Sequence, residues 1–138
     1  MTVLYTAKAN VQGGRDGQAE TDDKRLAVTL SRPGGTGAGT NPEQLFAVGY
    51  AACFSGAVAF VAGQKKLETG SISIQSEVTL NQNEGGFFIA VTLNVLLPSL
   101  DKETAEELVS EAHKVCPYSK ATRNNITVTL KANGQPVG

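Results

Sequence analysis

The chain has 138 residues, and the usual zinc ligands are scarce among them: one histidine and two cysteines. His113, Cys53 and Cys116 make three at most, with no close-spaced cysteine pair, so a zinc site with its four ligands is not supported. A charge excess is missing too. Twelve Lys and Arg face thirteen Asp and Glu for a net charge of -1, and no basic run is interleaved with aromatics, which removes the electrostatic footprint of a nucleic-acid binder. Residues 1–8 carry no basic leader followed by an apolar stretch and a small-residue cleavage site, so no secretory signal is read and the cytoplasm is the expected compartment. Thiols stay reduced there, and the two cysteines are expected to be free or catalytic rather than a structural staple. Internal repeats and low-complexity tracts are also lacking, and 138 residues suffice to bury one core, so one domain over residues 1–138 is expected.

Charge is absent locally as well. Residues 45–62 run without a single charged side chain before Lys65 and Lys66. A bilayer crossing needs about 20 apolar residues, which this stretch approaches. It is dominated by Ala and Gly, however, and the segments around it read as amphipathic elements that need something to pack on. A buried central helix is expected, and no membrane.

Apolar alternation marks the strands. Ile72, Ile74, Val78 and Leu80 share one face, and Phe87, Ile89, Val91, Leu93, Val95 and Leu97 share one face of the next run. The intervening Asn81-Gln82-Asn83-Glu84-Gly85-Gly86 is turn chemistry and predicts an antiparallel hairpin. Ile126, Val128 and Leu130 alternate near the C-terminus, and weaker alternation covers residues 3–11 and 26–30. Asn41-Pro42-Glu43 is a helix start, with an Asn cap, Pro in the first helical position and an acid in the first turn, for a helix running to about residue 66. A second helix over about residues 101–115 carries the stripe Ala105, Leu108, Val109, Ala112 and Val115, and ends because Pro117 disfavours helical geometry at Cys116. The order predicts an α+β fold: antiparallel sheets, a long buried central helix and a second amphipathic helix.

Two loops carry special residues. Gln12-Gly13-Gly14-Arg15-Asp16-Gly17 is a tight turn with one arginine, and residues 32–40 form a glycine-rich approach to the long helix. The second loop lacks the Gly-Lys-Ser/Thr ending of a phosphate cradle, which argues against nucleotide binding.

Each cysteine admits two readings. Cys53, among Ala51, Ala52 and Phe54, is either a small core hydrophobe or a buried reactive thiol. Cys116 is either a cap residue or a thiol whose thiolate is favoured by a helical turn starting at residues 118–121.

Three blocks carry a resemblance across essentially the whole chain. They are Gly13-Gly14-Arg15-Asp16-Gly17, the run from Gly39-Thr40-Asn41-Pro42-Glu43-Gln44-Leu45-Phe46 to Ala51-Ala52-Cys53-Phe54, and His113-Lys114-Val115-Cys116-Pro117-Tyr118-Ser119-Lys120-Ala121-Thr122-Arg123. In type and order they resemble the organic hydroperoxide resistance proteins, a branch of the osmotically inducible protein superfamily. The resemblance implies a thiol-dependent peroxidase, built as an intertwined homodimer with its sites at the subunit interface. It makes Cys53 the attacking thiol and Cys116 the resolving one, with Arg15 and Glu43 completing the site. No prosthetic group is implied, and the expected reductant is a dithiol of the dihydrolipoyl kind on a lipoylated protein. One position departs from the pattern: Asn124 stands where the family usually has Gly, and Asn tolerates the left-handed backbone that a glycine there would take.

The implied chemistry suits these residue types. Thiolate attack on a peroxide oxygen leaves a sulfenic acid and an alcohol, and a second thiol condenses with the sulfenic acid to a disulfide. A guanidinium about 4 Å from a sulfur lowers a thiol pKa by about three units at an effective dielectric of about 20. Such a drop raises the thiolate fraction at pH 7 about 30-fold, but the accompanying fall in nucleophilicity removes about 20-fold. The two nearly cancel, so Arg15 is expected to matter more by orienting the peroxide and stabilising the departing oxygen. An apolar neighbourhood favours alkyl or fatty-acid hydroperoxides, since each buried CH₂ contributes about 0.8 kcal/mol. Phe54, Tyr118, Phe87 and Phe88 are the candidates to line it, against the plainer reading of core aromatics. Two rivals stand beside this reading: a structural or ligand-binding domain whose cysteines merely pack, and a superfamily enzyme with another peroxide preference.

Overall fold

The computed structural model describes residues 1–138, and contacts divide the chain into two compact units, Met1–Leu45 and Phe46–Gly138. Each is described by itself.

The first unit is a three-stranded antiparallel sheet of β1 (Ala9–Gln12), β2 (Gln18–Thr21) and β3 (Ala27–Thr29), in that spatial order. The strand expected over residues 3–11 is confined to β1, because only Ala9–Gln12 finds a partner, opposite β2; Val3, Leu4 and Tyr5 stand exposed. β2 has no apolar alternation to announce it. It pairs because the turn at residues 13–17 folds the chain back on β1. Leu30 is the one buried apolar side chain of this unit.

Helix α1 (Pro42–Gln64) starts in the first unit. Its expected cap is in place: the Gln44 backbone N–H donates to Asn41 Oδ1 at 2.8 Å, with Pro42 at the first helical position. It stops two residues short of expectation, because Lys66 takes a left-handed φ of 56° and the Leu67 N–H turns back to the Ala62 carbonyl at 2.9 Å.

The second unit is a four-stranded sheet with helices packed on it. β4 (Ser73–Asn83) and β5 (Gly86–Leu96) form the expected antiparallel hairpin, paired from Ser73 opposite Leu96 to Asn83 opposite Gly86. The loop is thus only Glu84 and Gly85, tighter than the expected six residues. The chain then passes through α2 (Lys102–Val115) and α3 (Pro117–Thr122) into β6 (Val128–Ala132) and β7 (Gln135–Pro136). This crossover returns β6 in the same direction as β5, so Val91–Val95 and Val128–Ala132 pair in parallel, the exception among the strand pairs to the expected antiparallel pairing.

One core fills this unit. Tyr50, Phe54, Ala57, Val58, Val61 and Ala62 of α1 meet Val91, Leu93 and Val95 of β5 and Ala105, Leu108, Val109 and Ala112 of α2. The predicted α2 stripe is buried except for Val115, which lies half-exposed at the helix end. Asp101 caps α2 by accepting from the Thr104 N–H at 3.1 Å. Helix α1 is long and apolar enough to cross a membrane by length and composition, yet one of its faces belongs to this core. Val48 and Phe60, on its other side, are exposed, so the helix is not buried all round as expected.

Candidate active site

Cys53 lies in the interior of α1, and Cys116 ends α2 and begins α3. Pro117 keeps Cys116 extended, with φ -62° and ψ 123°, so the chain bends there and turns the thiol inward. The two cysteines are free, and their sulfurs are 3.4 Å apart, Cys116 fully buried and Cys53 half-buried. Of all the residues singled out in the sequence of the second unit, this is the pair the fold brings together most directly. Burial pushes the Cys53 thiol above its ordinary value. The Tyr118 backbone N–H donates to its sulfur and pulls it back, while Cys116 alongside pushes it up again. These surroundings do not yield the depressed thiol anticipated for Cys53; on their own they yield the opposite.

Tyr118 follows Pro117 and lies over Gly49 of α1. A Cβ at Gly49 would sit 2.9 Å from the Tyr118 hydroxyl, so the glycine makes the room the ring occupies. The ring also meets Phe46 and Tyr50, at centroid distances of 5.9 and 5.7 Å, and remains partly exposed. The other aromatic candidates go elsewhere. Phe54 is fully buried between Tyr50 and His113 and offers no surface to a ligand, which is the core role weighed against it. Phe87 and Phe88 stand exposed at the hairpin end, opposite Gln82 and Asn81.

In the first unit, the turn between β1 and β2 presents Arg15 from a short 3₁₀ segment, Gly14–Asp16. Gly13 and Gly14 take positive φ of 78° and 57°, and a Cβ on Gly17 would fall 1.6 Å from the Gln12 carbonyl oxygen. The glycines therefore belong to the turn geometry. Arg15 Nη1 donates to Glu43 Oε1 at 2.8 Å, and this hydrogen bond holds the guanidinium firmly protonated. Glu43 is the more sheltered partner, 13% exposed against 44% for Arg15. Asp16 engages Arg32 of the glycine-rich loop, at 2.8 Å between Oδ2 and Nε, a link the sequence did not announce.

Residues 35–131 match the model of the OsmC-like protein family. The organic hydroperoxide resistance protein of Xanthomonas axonopodis pv. citri is 55% identical over 133 residues, covering 93% of this chain and 94% of that one. The chain belongs to this family, in its organic hydroperoxide resistance branch. Solved structures of the branch agree in fold. The organic hydroperoxide resistance protein OhrB of Bacillus subtilis is 47% identical, with a TM-score of 0.90 over 94% of this chain and 99% of that one. A putative organic hydroperoxide resistance protein of Vibrio cholerae, with captopril bound in one of its active sites, is 44% identical, with a TM-score of 0.93 over 99% of this chain and 97% of that one. Where this member of the branch has Asn124, the backbone takes φ 66°, so the asparagine adopts the left-handed turn anticipated for it.

Around Cys116 the fold also assembles side chains that sequence reasoning passed over. Tyr50, Ser119 and Thr122 are buried polar residues linked by hydrogen bonds, and His113 joins them. Their spacing was a signal: Tyr50 lies three residues before Cys53, and His113 and Ser119 lie three to either side of Cys116.

Proposed function

We propose that the protein is a thiol-dependent peroxidase for organic hydroperoxides, with Cys53 attacking and Cys116 resolving. The observation that carries this reading is the pair of free thiols 3.4 Å apart in a chain of the organic hydroperoxide resistance branch. The half-buried Cys53 is the one a peroxide reaches, and the buried Cys116 waits behind it. Cys53 takes the distal peroxide oxygen and the O–O bond breaks, giving a sulfenic acid and, with one proton, the alcohol. Cys116 then attacks the Cys53 sulfur, water leaves, and the disulfide forms. Two thiols and one hydroperoxide become one disulfide, one alcohol and one water.

The resemblance assigns Arg15 and Glu43 to the same reaction. Glu43 holds the guanidinium by one side at 2.8 Å, leaving its other donors for the peroxide oxygens. Because burial raises the Cys53 thiol, a cation is needed to favour the thiolate and to stabilise charge on the departing oxygen. A homodimer fits the same reading: Val48, Phe60 and Phe87 are apolar side chains left exposed that a second copy would cover. Reduction of the disulfide falls to a dithiol, of the dihydrolipoyl kind on a lipoylated protein, and the cytoplasm is the compartment that maintains it.

The test is a thiol count. Reduced protein mixed anaerobically with one equivalent of cumene hydroperoxide should lose two thiols per chain within seconds, and hydrogen peroxide should act more slowly. Persistence of both thiols overturns the proposal.

A further inference from the structure

Beneath the α2–α3 junction lies a chain of hydrogen bonds whose direction is set by counting hydrogens. Thr122 Oγ1 is 2.9 Å from the Tyr118 carbonyl oxygen, which only accepts, so the single Thr122 hydrogen goes there. Tyr50 Oη, 3.0 Å from Thr122 Oγ1, must then donate to it. With its hydrogen used, Tyr50 accepts from Ser119 Oγ at 2.7 Å, and Ser119 in turn accepts from His113 Nδ1 at 2.8 Å. The imidazole therefore carries its hydrogen on Nδ1. The order is His113 to Ser119 to Tyr50 to Thr122 to the Tyr118 carbonyl. It ends on a group that cannot pass a proton on, so it is a clamp and not a relay.

The clamp ties three helices at one place: Tyr50 from α1, His113 from α2, and Ser119 and Thr122 from α3. Arg123 adds a further tie, Nη1 to the His113 carbonyl at 2.6 Å. Cys116 sits between the tied residues, its own N–H bonded to the Ala112 carbonyl at 2.9 Å and its carbonyl to the Lys120 N–H at 3.0 Å. Tyr50 and Ser119 are fully buried and Thr122 nearly so, so the two bonds of the Tyr50 hydroxyl are sheltered from water, and a hydroxyl left without its partner there is costly. Nothing in the proposed chemistry uses these hydroxyls as acid, base or nucleophile. What they share is the location of the Cys116 sulfur.

We propose that Tyr50, Ser119, Thr122 and His113 are positioning residues for the resolving step, holding Cys116 at near-attack distance from Cys53. This rests on the peroxidase reading. Loosening the clamp should leave peroxide attack on Cys53 alone and slow the second step, in which the Cys116 sulfur displaces water from the Cys53 sulfenic acid. A misplacement of about 1 Å is enough to cost about 100-fold in such a step.

The experiment separates the two phases in stopped flow with reduced protein and cumene hydroperoxide, trapping sulfenic acid with dimedone. Tyr50→Phe keeps the ring and removes the central hydroxyl. It should retain the rate of sulfenic acid formation within about twofold, form the disulfide about 10- to 100-fold more slowly, and accumulate the dimedone adduct. Thr122→Val, nearly isosteric, carries the test if Tyr50→Phe does not fold. His113→Ala should behave like Tyr50→Phe, whereas His113→Asn, whose amide N–H can replace Nδ1–H, should recover the fast second phase. Equal slowing of both phases, or an unchanged second phase, overturns the positioning role. Wild-type protein that loses no thiols overturns the peroxidase reading itself, and this inference with it.

Discussion

Replacing Cys116 with serine removes the second sulfur and puts a hydroxyl in nearly the same volume. In the wild-type chain the sulfurs must close from 3.4 Å to about 2.05 Å, a movement of about 1.4 Å, and the starting gap already lies within the range of about 3 to 3.5 Å from which held groups react. Groups so placed reach effective concentrations of about 10⁵ to 10⁸ M. An outside monothiol at about 1 mM falls short of the lower figure by about 10⁸, and by about 10⁵ even after a thousandfold allowance for imperfect alignment. The variant should therefore make one turnover and stop, with the sulfenic acid of Cys53 stranded and open to over-oxidation to the sulfinic acid. Because position 116 is fully buried, the serine hydroxyl also costs about 1 to 3 kcal/mol of stability if it finds no partner, which a denaturation midpoint reads separately. The assay combines thiol titration with mass spectrometry after dimedone trapping. Wild type should lose two thiols without an adduct, and Cys116→Ser should lose one and gain the adduct. Multiple turnovers by Cys116→Ser at the wild-type rate would refute the resolving role.

Other perturbations address the remaining parts. Arg15→Lys keeps a cation beside Glu43 but loses the planar fork; most steady-state peroxidase activity should disappear, and an active variant would show that the charge suffices without the fork and refute the orienting role. Gly17→Ala places a Cβ against backbone at 1.6 Å, so the arginine turn must reopen. Cumene hydroperoxide turnover should drop while diamide still closes the Cys53–Cys116 disulfide at the wild-type rate; loss of both would mean that the damage spreads beyond the turn. His113 is held below its ordinary imidazole value, first by burial and then by the charge of Arg123. The folded chain thus binds fewer protons there than the unfolded one. Its share of stability is complete above pH about 6.5 and declines as the pH falls below that toward the folded value. Urea midpoints from pH 8 to pH 5 should fall more steeply for wild type than for His113→Asn, and parallel curves would refute the assignment.

The legible parts of the fold are those set by local chemistry. The Asn41-Pro42 start of α1, the Asp101 cap and apolar stripe of α2, and the β4–β5 hairpin each follow from residues within a turn or a pleat of one another. The parts that were not legible depend on partners distant in sequence. β2 has no pattern of its own and exists because the glycine turn lays it beside β1. The strand expected over residues 3–11 shrank to Ala9–Gln12 because apolar alternation makes no ladder without a neighbour. The parallel pairing of β6 follows from the crossover through α2 and α3. Phe54 was a reasonable pocket candidate by its place beside Cys53, but successive helical residues diverge by about 100°, which sends its ring into the core.

By itself the sequence determined the α+β class and the family, and its motifs singled out Cys53, Cys116, Arg15 and Glu43 as candidate site residues, because long motifs in a fixed order leave little room for another family. Tertiary structure alone decided that the two sulfurs lie 3.4 Å apart, that Glu43 grips Arg15, and that burial raises the Cys53 thiol when a low one was anticipated. It also decided that Tyr50, Ser119, Thr122 and His113 form a single directed chain around Cys116. The physical reason is common to all of these. Distance, burial and hydrogen-bond direction arise between residues brought together by packing, and a linear pattern carries residue type and spacing but not proximity.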